Sequence, residues 1–272
     1  IHLVTLNLNT YKNFLSFLSQ WDEERPDIIL LQETRLTPSS NAKFANLVGS
    51  NGYRLHAEIC EISYLGHRAA PCAGVALLAC TGLASSSAPV ETKYQPYYLV
   101  ALLDFPGIGL CAVASIYLPI DARRGVSPVE VLRYAMAHIS SLNAQFIVGG
   151  DFDLSPDQVM AHMSGFGVDA VIIHPPSPTC ITSTSSSVID FFVASVDLER
   201  TIQGFGVHQT SPTSPHYPVS SRLLADACPR HEVLKRYSNR YRQLCGPMPF
   251  QSPHARQIPD LLRCSESLVN SP

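Results

Sequence analysis

The stretch Gln145-Phe146-Ile147-Val148-Gly149-Gly150-Asp151-Phe152-Asp153 decides how the chain is read. A short apolar run, too brief for a helix, meets two glycines, and acidic residues follow at once. Such a run, bounded by turn residues, reads as a buried strand from Gln145 to Val148. Asp151 lies just beyond it, either shaping a tight turn or presented for chemistry at the strand's end.

The same pattern recurs along the chain. Further strand candidates are Leu3–Leu8, Ile28–Gln32, Tyr53–Glu58, Val75–Ala79, Tyr97–Phe105, Leu110–Leu118, Ala170–His174 and Val188–Ala194. Three helices have start signals. The first spans about Tyr11–Glu24, with Thr10 as N-cap and Tyr11, Phe14, Leu15, Leu18 and Trp21 on one stripe. The others open with the capping boxes Ser127-Pro128-Val129-Glu130 and Ser155-Pro156-Asp157-Gln158, each with proline at the first helical position. Ser177–Ser187 reads as a polar loop. Many strands with few helices give an α/β (α+β) chain, built as two helix-covered sheets or as one large mixed sheet.

Composition supports a folded body. Of 272 residues, 46% are apolar and 15% charged, which allows a substantial core and argues against disorder. The longest uncharged apolar stretch, Gly107–Ile120, has 14 residues against the ~20 that a membrane helix needs. Within it, Gly107-Ile108-Gly109-Leu110-Cys111-Ala112 fits a dinucleotide fingerprint only formally, because it leads into a strand. The eight cysteines include no C-x-x-C pair, so they read as reduced thiols rather than a zinc or redox centre. No signal peptide and no N-x-[S/T] acceptor is visible. The expectation is an intracellular protein, nuclear or cytoplasmic and not secreted, with no membrane association.

Charge divides the chain. Residues 1–224 hold 12 Lys+Arg against 18 Asp+Glu, a balance of −6, whereas residues 225–272 hold 7 against 4, a balance of +3. The boundary is drawn near Ala225, with a body at 1–224 and a basic, Pro-rich tail or linker at 225–272. A helical stretch is expected in the tail around Glu232–Leu244. A basic tail is also a candidate nucleic-acid arm.

Polar residues gather where the strands end. They are Asn7 and Asn9; Gln32, Glu33 and Thr34; Tyr117; Asp151 and Asp153; Asp190 between Ile189 and Phe191; and His216. Singly, each has a plain explanation: a glutamate at a strand end is usually solvated, and a histidine usually lies at the surface. Asp190 resists one, since an acid among Ile and Phe is costly to bury unpaired.

In this order the motifs resemble the endonuclease/exonuclease/phosphatase superfamily, above all the endonuclease domains of non-LTR retrotransposons and the abasic-site endonucleases. The matching segments are Leu6-Asn7-Leu8-Asn9, Leu31-Gln32-Glu33, Ser115-Ile116-Tyr117-Leu118-Pro119, Gly150-Asp151-Phe152-Asp153, Ile189-Asp190-Phe191 and Ser214-Pro215-His216, with Pro178-Thr179 ahead of the fifth. They span about residues 3–221. The resemblance implies a four-layer sandwich of two packed mixed sheets flanked by helices. It implies a Mg²⁺-dependent phosphodiesterase (Mn²⁺ as the alternative) that nicks DNA, with continuation beyond residue 272 into a larger polyprotein.

The roles it implies make chemical sense for phosphodiester hydrolysis. Glu33 resembles the main metal ligand, with Asn9 and Asp153 beside it. Asp151 corresponds to the residue that orients or deprotonates the attacking water, and His216 with Asp190 to the pair that contacts the phosphate. Asn7 and Tyr117 correspond to substrate-binding and catalytic hydrogen-bonding groups. Arg35, with Arg68, Arg123 and Arg124, offers a basic rim for the substrate.

The match has two departures. Pro215 stands where the superfamily has aspartate, and Asp153 where it has asparagine. Asp153 either replaces the charge lost at 215 or marks a degenerate, merely binding copy. RNA, a phosphoinositide or a sphingolipid stays open as the phosphoester.

Overall fold

The computed structural model describes residues 1–21, 24–59, 61–65, 68–118, 126–209 and 213–224, without the side chains of 61–65 and 68–72. The expected tail at 225–272 lies outside the described residues, as do Arg123, Arg124 and the side chain of Arg68.

In chain order the elements begin with β1 (His2–Asn7), α1 (Phe14–Leu18), β2 (Ile28–Gln32), α2 (Pro38–Ser50), β3 (Tyr53–Ala57), β4 (Glu61–Leu65) and β5 (Arg68–Cys72). They continue through β6 (Ala76–Cys80), β7 (Ser85–Ala88), β8 (Tyr98–Phe105), β9 (Gly109–Tyr117), α3 (Pro128–Ser141), β10 (Gln145–Asp151) and α4 (Pro156–Gly165). The last are β11 (Ala170–Ile173), β12 (Cys180–Ile181), β13 (Ser186–Ser187), β14 (Asp190–Ser195), β15 (Ile202–Val207) and β16 (Val219–Leu223).

Two six-stranded mixed sheets result, ordered β15-β16-β1-β2-β6-β3 and β11-β14-β10-β9-β8-β7. The pairs β1–β2 and β9–β10 are parallel, and the other neighbours antiparallel. Because strand side chains alternate between faces, each sheet is apolar on both sides. Leu3, Ile28, Leu30, Val113, Ile147, Phe192 and Ala194 fill the space between the sheets. Val4, Leu6, Ile29 and Leu31 face outward onto Phe14 and Phe17 of α1 and Phe44 and Val48 of α2. On the far side, Ala112, Ala114, Val148, Phe191 and Val193 meet Val131, Leu132 and Met136 of α3 and Val159 and Met163 of α4. The four layers of the expected sandwich are therefore present.

Some elements differ from expectation. The strand at Gln145 runs on through both glycines to Asp151, so Asp151 belongs to the ladder and forms no turn. Glycine is required there: a Cβ at Gly150 would lie 2.1 Å from the carbonyl oxygen of Ile116, and one at Gly149 would lie 2.6 Å from Leu30 Cδ1 and 2.8 Å from the Phe192 ring.

The helix expected over Tyr11–Glu24 is instead a 3₁₀ turn, the five-residue α1 and a second 3₁₀ turn ending at Trp21. Thr10 makes no side-chain cap there. Phe14, Phe17, Leu18 and Trp21 are buried, while Leu15 is 50% exposed. The buried stripe is thus Phe14, Phe17, Leu18 and Trp21, at i, i+3, i+4 and i+7, with Phe17 in place of Leu15. Of the two capping boxes, the one at Ser155 is complete. At Ser127 only half forms, because Glu130 turns to Lys93 and Tyr94. The polar loop Ser177–Ser187 contains the short β12–β13 hairpin. Among the described residues, Cys80, Cys111 and Cys180 are free thiols, in line with the reduced reading.

Candidate active site

Parity along the strands brings the polar residues together. Leu3 and Ile147 point between the sheets, so Asn7, four residues on in both strands' counting, and Asp151 point there too. The parallel pairs end at the same rim, with Asn7 opposite Gln32 and Asp151 opposite Tyr117. Asp190 begins β14 directly across from Asp151. The space between the sheets turns polar there: Gln32 donates to Ser115 at 3.0 Å and to Thr5 at 3.2 Å.

Asn7 Nδ2 donates to Asp151 Oδ2 at 2.8 Å, a contact between the two sheets. The Asn9 backbone N–H donates to Asn7 Oδ1 at 3.0 Å and thereby sets the amide's orientation. His216 Nδ1 lies 3.0 and 3.2 Å from the two oxygens of Asp190, and its Nε2 lies 3.8 Å from Asp151 Oδ2. Asp190 is fixed in turn by Thr179, whose Oγ1 accepts from the Ile189 and Asp190 backbone N–H groups at 3.0 and 2.9 Å. Asn7, Asp151, Asp190 and His216 thus form one connected, largely buried chain of polar groups.

Glu33 occupies the adjacent position. Its backbone is left-handed, as are those of Asn9, Arg35 and Asp153. Four non-glycine residues in that region at one rim mark a locally strained loop set. Tyr117 Oη donates to Glu33 Oε1 at 2.7 Å, and Arg35 Nη2 donates to Oε2 at 2.9 Å. Tyr117 also feels the charges of Asp151 and Asp153, and so joins Glu33 to the chain around His216. Asp153 approaches Asp151 through its backbone N–H, 3.4 Å from Oδ1.

The electrostatics follow from burial and from these contacts. Burial and the Asp190 charge push the Asp151 carboxyl well above the ordinary range, against the opposing pull of His216 and Asn7. Asp190 is raised by burial and held down by His216 and Thr179. Burial opposes the charge on His216. The hydrogen bond to Asp190 and the charges of Asp190, Asp151 and Asp153 outweigh it and lift the imidazole to about 9. Burial followed by the Glu33 charge raises the Tyr117 phenol far above its ordinary value, so it stays a donor.

Several neighbours were not singled out from sequence. Cys180 lies beside His216, Sγ to Nε2 3.9 Å, its thiol pushed up to about 11 by burial and the nearby acids. Thr213 Oγ1 donates to the His216 carbonyl at 3.0 Å. A cleft of about 540 Å³ is lined by Thr10, Lys12, Arg35, Thr37, Ser40 and Lys43 among others, and Arg35 links it to Glu33. Lys12 and Lys43 are 31 positions apart, and no local spacing in the sequence announces the pair.

Oxygen donors of the kind hard cations prefer are Glu33, Asn9 and Asp153. Asp151, Asp190 and His216 have ligand atoms within 4.8 Å of one another, but one imidazole nitrogen is already tied to Asp190. That second group suits Mg²⁺ less well.

Comparison with known proteins agrees with the architecture. Residues 4–212 match a protein family described as the endonuclease/exonuclease/phosphatase family. No curated protein matches the chain. Among solved structures, the AP endonuclease LMAP from Leishmania major superposes with a TM-score of 0.64 at 17% identity, covering 81% of this chain and 86% of that one. The endonuclease domain of TRAS1, a telomere-specific non-LTR retrotransposon, gives 0.61 at 17% identity, covering 82% and 98%. The 3′-5′ exonuclease NExo from Neisseria meningitidis gives 0.61 at 14%, covering 82% and 99%.

Proposed function

The chain belongs to the endonuclease/exonuclease/phosphatase family, whose members are hydrolases, and from that premise we propose that it is a divalent-metal-dependent DNA-nicking endonuclease. The observation that carries the reading is the continuous set Asn7–Asp151···His216–Asp190 with Glu33 anchored beside it through Tyr117. Retrotransposon affinity is supported by the TRAS1 domain, which this chain matches over 98% of that domain's length.

Glu33, Asn9 and Asp153 would hold Mg²⁺, or Mn²⁺ in its place, which when bound would supply charge neutralisation at the phosphate and at the leaving oxygen. The rest falls to side chains. Asp151, its proton affinity raised, accepts a proton from the attacking water. Asn7 Nδ2–H holds that carboxylate in place. His216, kept cationic and turned by Asp190, donates from Nε2 to a phosphate oxygen as negative charge builds. Tyr117 steadies Glu33 and remains a neutral donor. Arg35 and the cleft residues Lys12 and Lys43 meet flanking phosphates. The charge of Asp153, felt by His216, takes over the role of the acid missing at Pro215.

Plasmid nicking tests the reading. Supercoiled DNA should be nicked with Mg²⁺, and Glu33→Ala and Asp151→Ala should each lose about 10²-fold or more. Asp153→Asn should also lower the rate; equal or higher nicking would refute the compensation. DNA retention without nicking would indicate a silent binding copy. Release of phosphate only from RNA or lipid substrates would reassign the substrate.

A further inference from the structure

Residues 1–224 carry a charge balance of −6, yet three of their 12 Lys and Arg residues line one cleft. Lys12, Arg35 and Lys43 meet there, and no carboxylate is among the lining residues. Arg35 is committed to Glu33 at 2.9 Å. Among the described residues neither lysine has an ion-pair partner, and both are exposed, so two positive charges stand uncompensated. We propose that this cleft receives the end of a DNA strand, its terminal phosphomonoester met by Lys12 and Lys43, so that the chain prefers DNA ends that carry phosphate. The nuclease reading underlies this assignment, which goes further by naming the kind of phosphate the two lysines take.

Charge and donor chemistry favour a monoester. A terminal phosphate carries close to two negative charges at neutral pH and three terminal oxygens, against one charge and two such oxygens for a diester within a strand. Two free ammonium groups match the first and over-neutralise the second. Hydroxyl donors complete the lining. Thr10 makes no side-chain cap, and Ser39 Oγ lies 3.0 Å from Thr37 Oγ1 in a contact where either can donate, so both hydroxyls can turn toward an anion. The start of α2 adds little, because Thr37 and Ser40 close its first turn with their own side chains.

Size and rigidity fit an attached nucleotide. About 540 Å³ exceeds the need of a phosphate alone and lies within the ~300–1,000 Å³ of small-ligand pockets. Tyr11, edge-to-face on Phe44 with ring centroids 5.7 Å apart, gives the cleft an aromatic wall for the adjoining sugar or base. The walls are tied to one another through the backbone. Tyr11 N–H donates to the Thr34 carbonyl at 2.9 Å, joining the turn after β1 to the loop after β2. That loop is held in turn by Thr34 N–H to the Gly74 carbonyl at 3.0 Å and Arg35 N–H to the Ala73 carbonyl at 3.1 Å. Because Arg35 reaches from the cleft to Glu33, a strand end seated here is placed in fixed register with the hydrolytic carboxylates.

Binding of the full chain to a short DNA duplex in EDTA, read by fluorescence anisotropy, tests the site without any cutting. At about 0.15 M salt, attraction between exposed charges more than ~8 Å apart is largely screened, so a merely more negative duplex gains little. Three duplexes of one sequence are compared: 5′-phosphorylated, 3′-phosphorylated and unphosphorylated. One phosphorylated end should tighten binding about tenfold or more, and which end does so gives the direction of the bound strand. Capping that phosphate as its methyl diester should remove most of the gain. Lys12→Gln with Lys43→Gln, surface changes checked by circular dichroism, should bring the ratio of affinities close to one. Equal binding of all three duplexes, a gain undiminished in the methyl diester, or a preference retained by the folded double variant overturns the end site. If no duplex binds, the DNA reading fails and the end site with it, whereas binding without preference removes the end site alone.

Discussion

Asp190→Asn separates the protonation of His216 from its position. The amide is nearly isosteric, and its oxygen still accepts from Nδ1–H, but the charge is gone. In the wild type the imidazole is lifted to about 9 although burial works against it. Without the carboxylate, burial is opposed only by the charges of Asp151 and Asp153, and His216 should titrate near or below its ordinary 6.5. The difference corresponds to about 3 kcal/mol. At pH 7.5 the protonated fraction falls from about 97% to about a tenth or less. Nicking at that pH should drop about tenfold or more, and the optimum should move to lower pH. Stability carries the same signature. A histidine whose folded value is raised adds stability in full below 6.5 and loses it as pH rises through about 9. The wild type should therefore lose about 3 kcal/mol more than Asp190→Asn between pH 6.5 and 9. For a body of this size that is a Tm difference of about 6–12 °C. Imidazole NMR titration gives the site value directly. A wild-type His216 titrating below 7, or one unmoved by Asp190→Asn, would refute the reasoning.

Three further outcomes follow from other contacts. Arg35→Ala removes the cation now paired with Glu33, so Mn²⁺ affinity measured by calorimetry should rise severalfold; weaker binding would mean that Arg35 organises the carboxylate instead of competing for it. Lys12→Ala with Lys43→Ala should reduce the slope of log affinity for DNA against log salt by about 0.9 per lysine, and an unchanged slope would take the cleft off the path of the strand. On the acid side, His56 is lowered to about 4 by burial and then by Arg54, while its ring contacts Ser85 and Ser87. Stability should therefore decline from pH 6.5 toward 4, and His56→Gln should flatten that decline in urea titrations.

The sheets were legible because buried strands repeat apolar runs, and the rim because its side chains follow those runs in a fixed order. What local sequence withheld depends on long-range packing. The helix at Pro38–Ser50 buries only Phe44 and Val48, and its serine-rich start, Pro38-Ser39-Ser40-Asn41, offers no apolar period. The edge pair Ile202–Val207 and Val219–Leu223 alternates weakly with Gly and Ser, and a bulge interrupts it. Tyr11–Trp21 satisfied helical spacing, yet only Phe14–Leu18 is α-helical, between two 3₁₀ turns, while Phe14, Phe17, Leu18 and Trp21 keep the i, i+3, i+4, i+7 stripe buried. At the site, Asp190 stood out because an acid among apolar residues needs a partner. Cys180 did not, because its only distinction is a neighbour 36 residues away.

The missing side chains at 149 and 150 matter as much as the ones around them. At 150 the obstruction is a main-chain oxygen of the adjoining strand, which no rotamer change can clear, whereas at 149 a leucine tip and a ring edge block the way. The distance from Asp151 to Asn7 and Tyr117 is therefore set partly by bare backbone at the two residues before the acid. Transplanting the acid, amide and imidazole onto another scaffold without those hydrogens would spread the strands and pull the reacting groups apart, even with every polar residue copied faithfully.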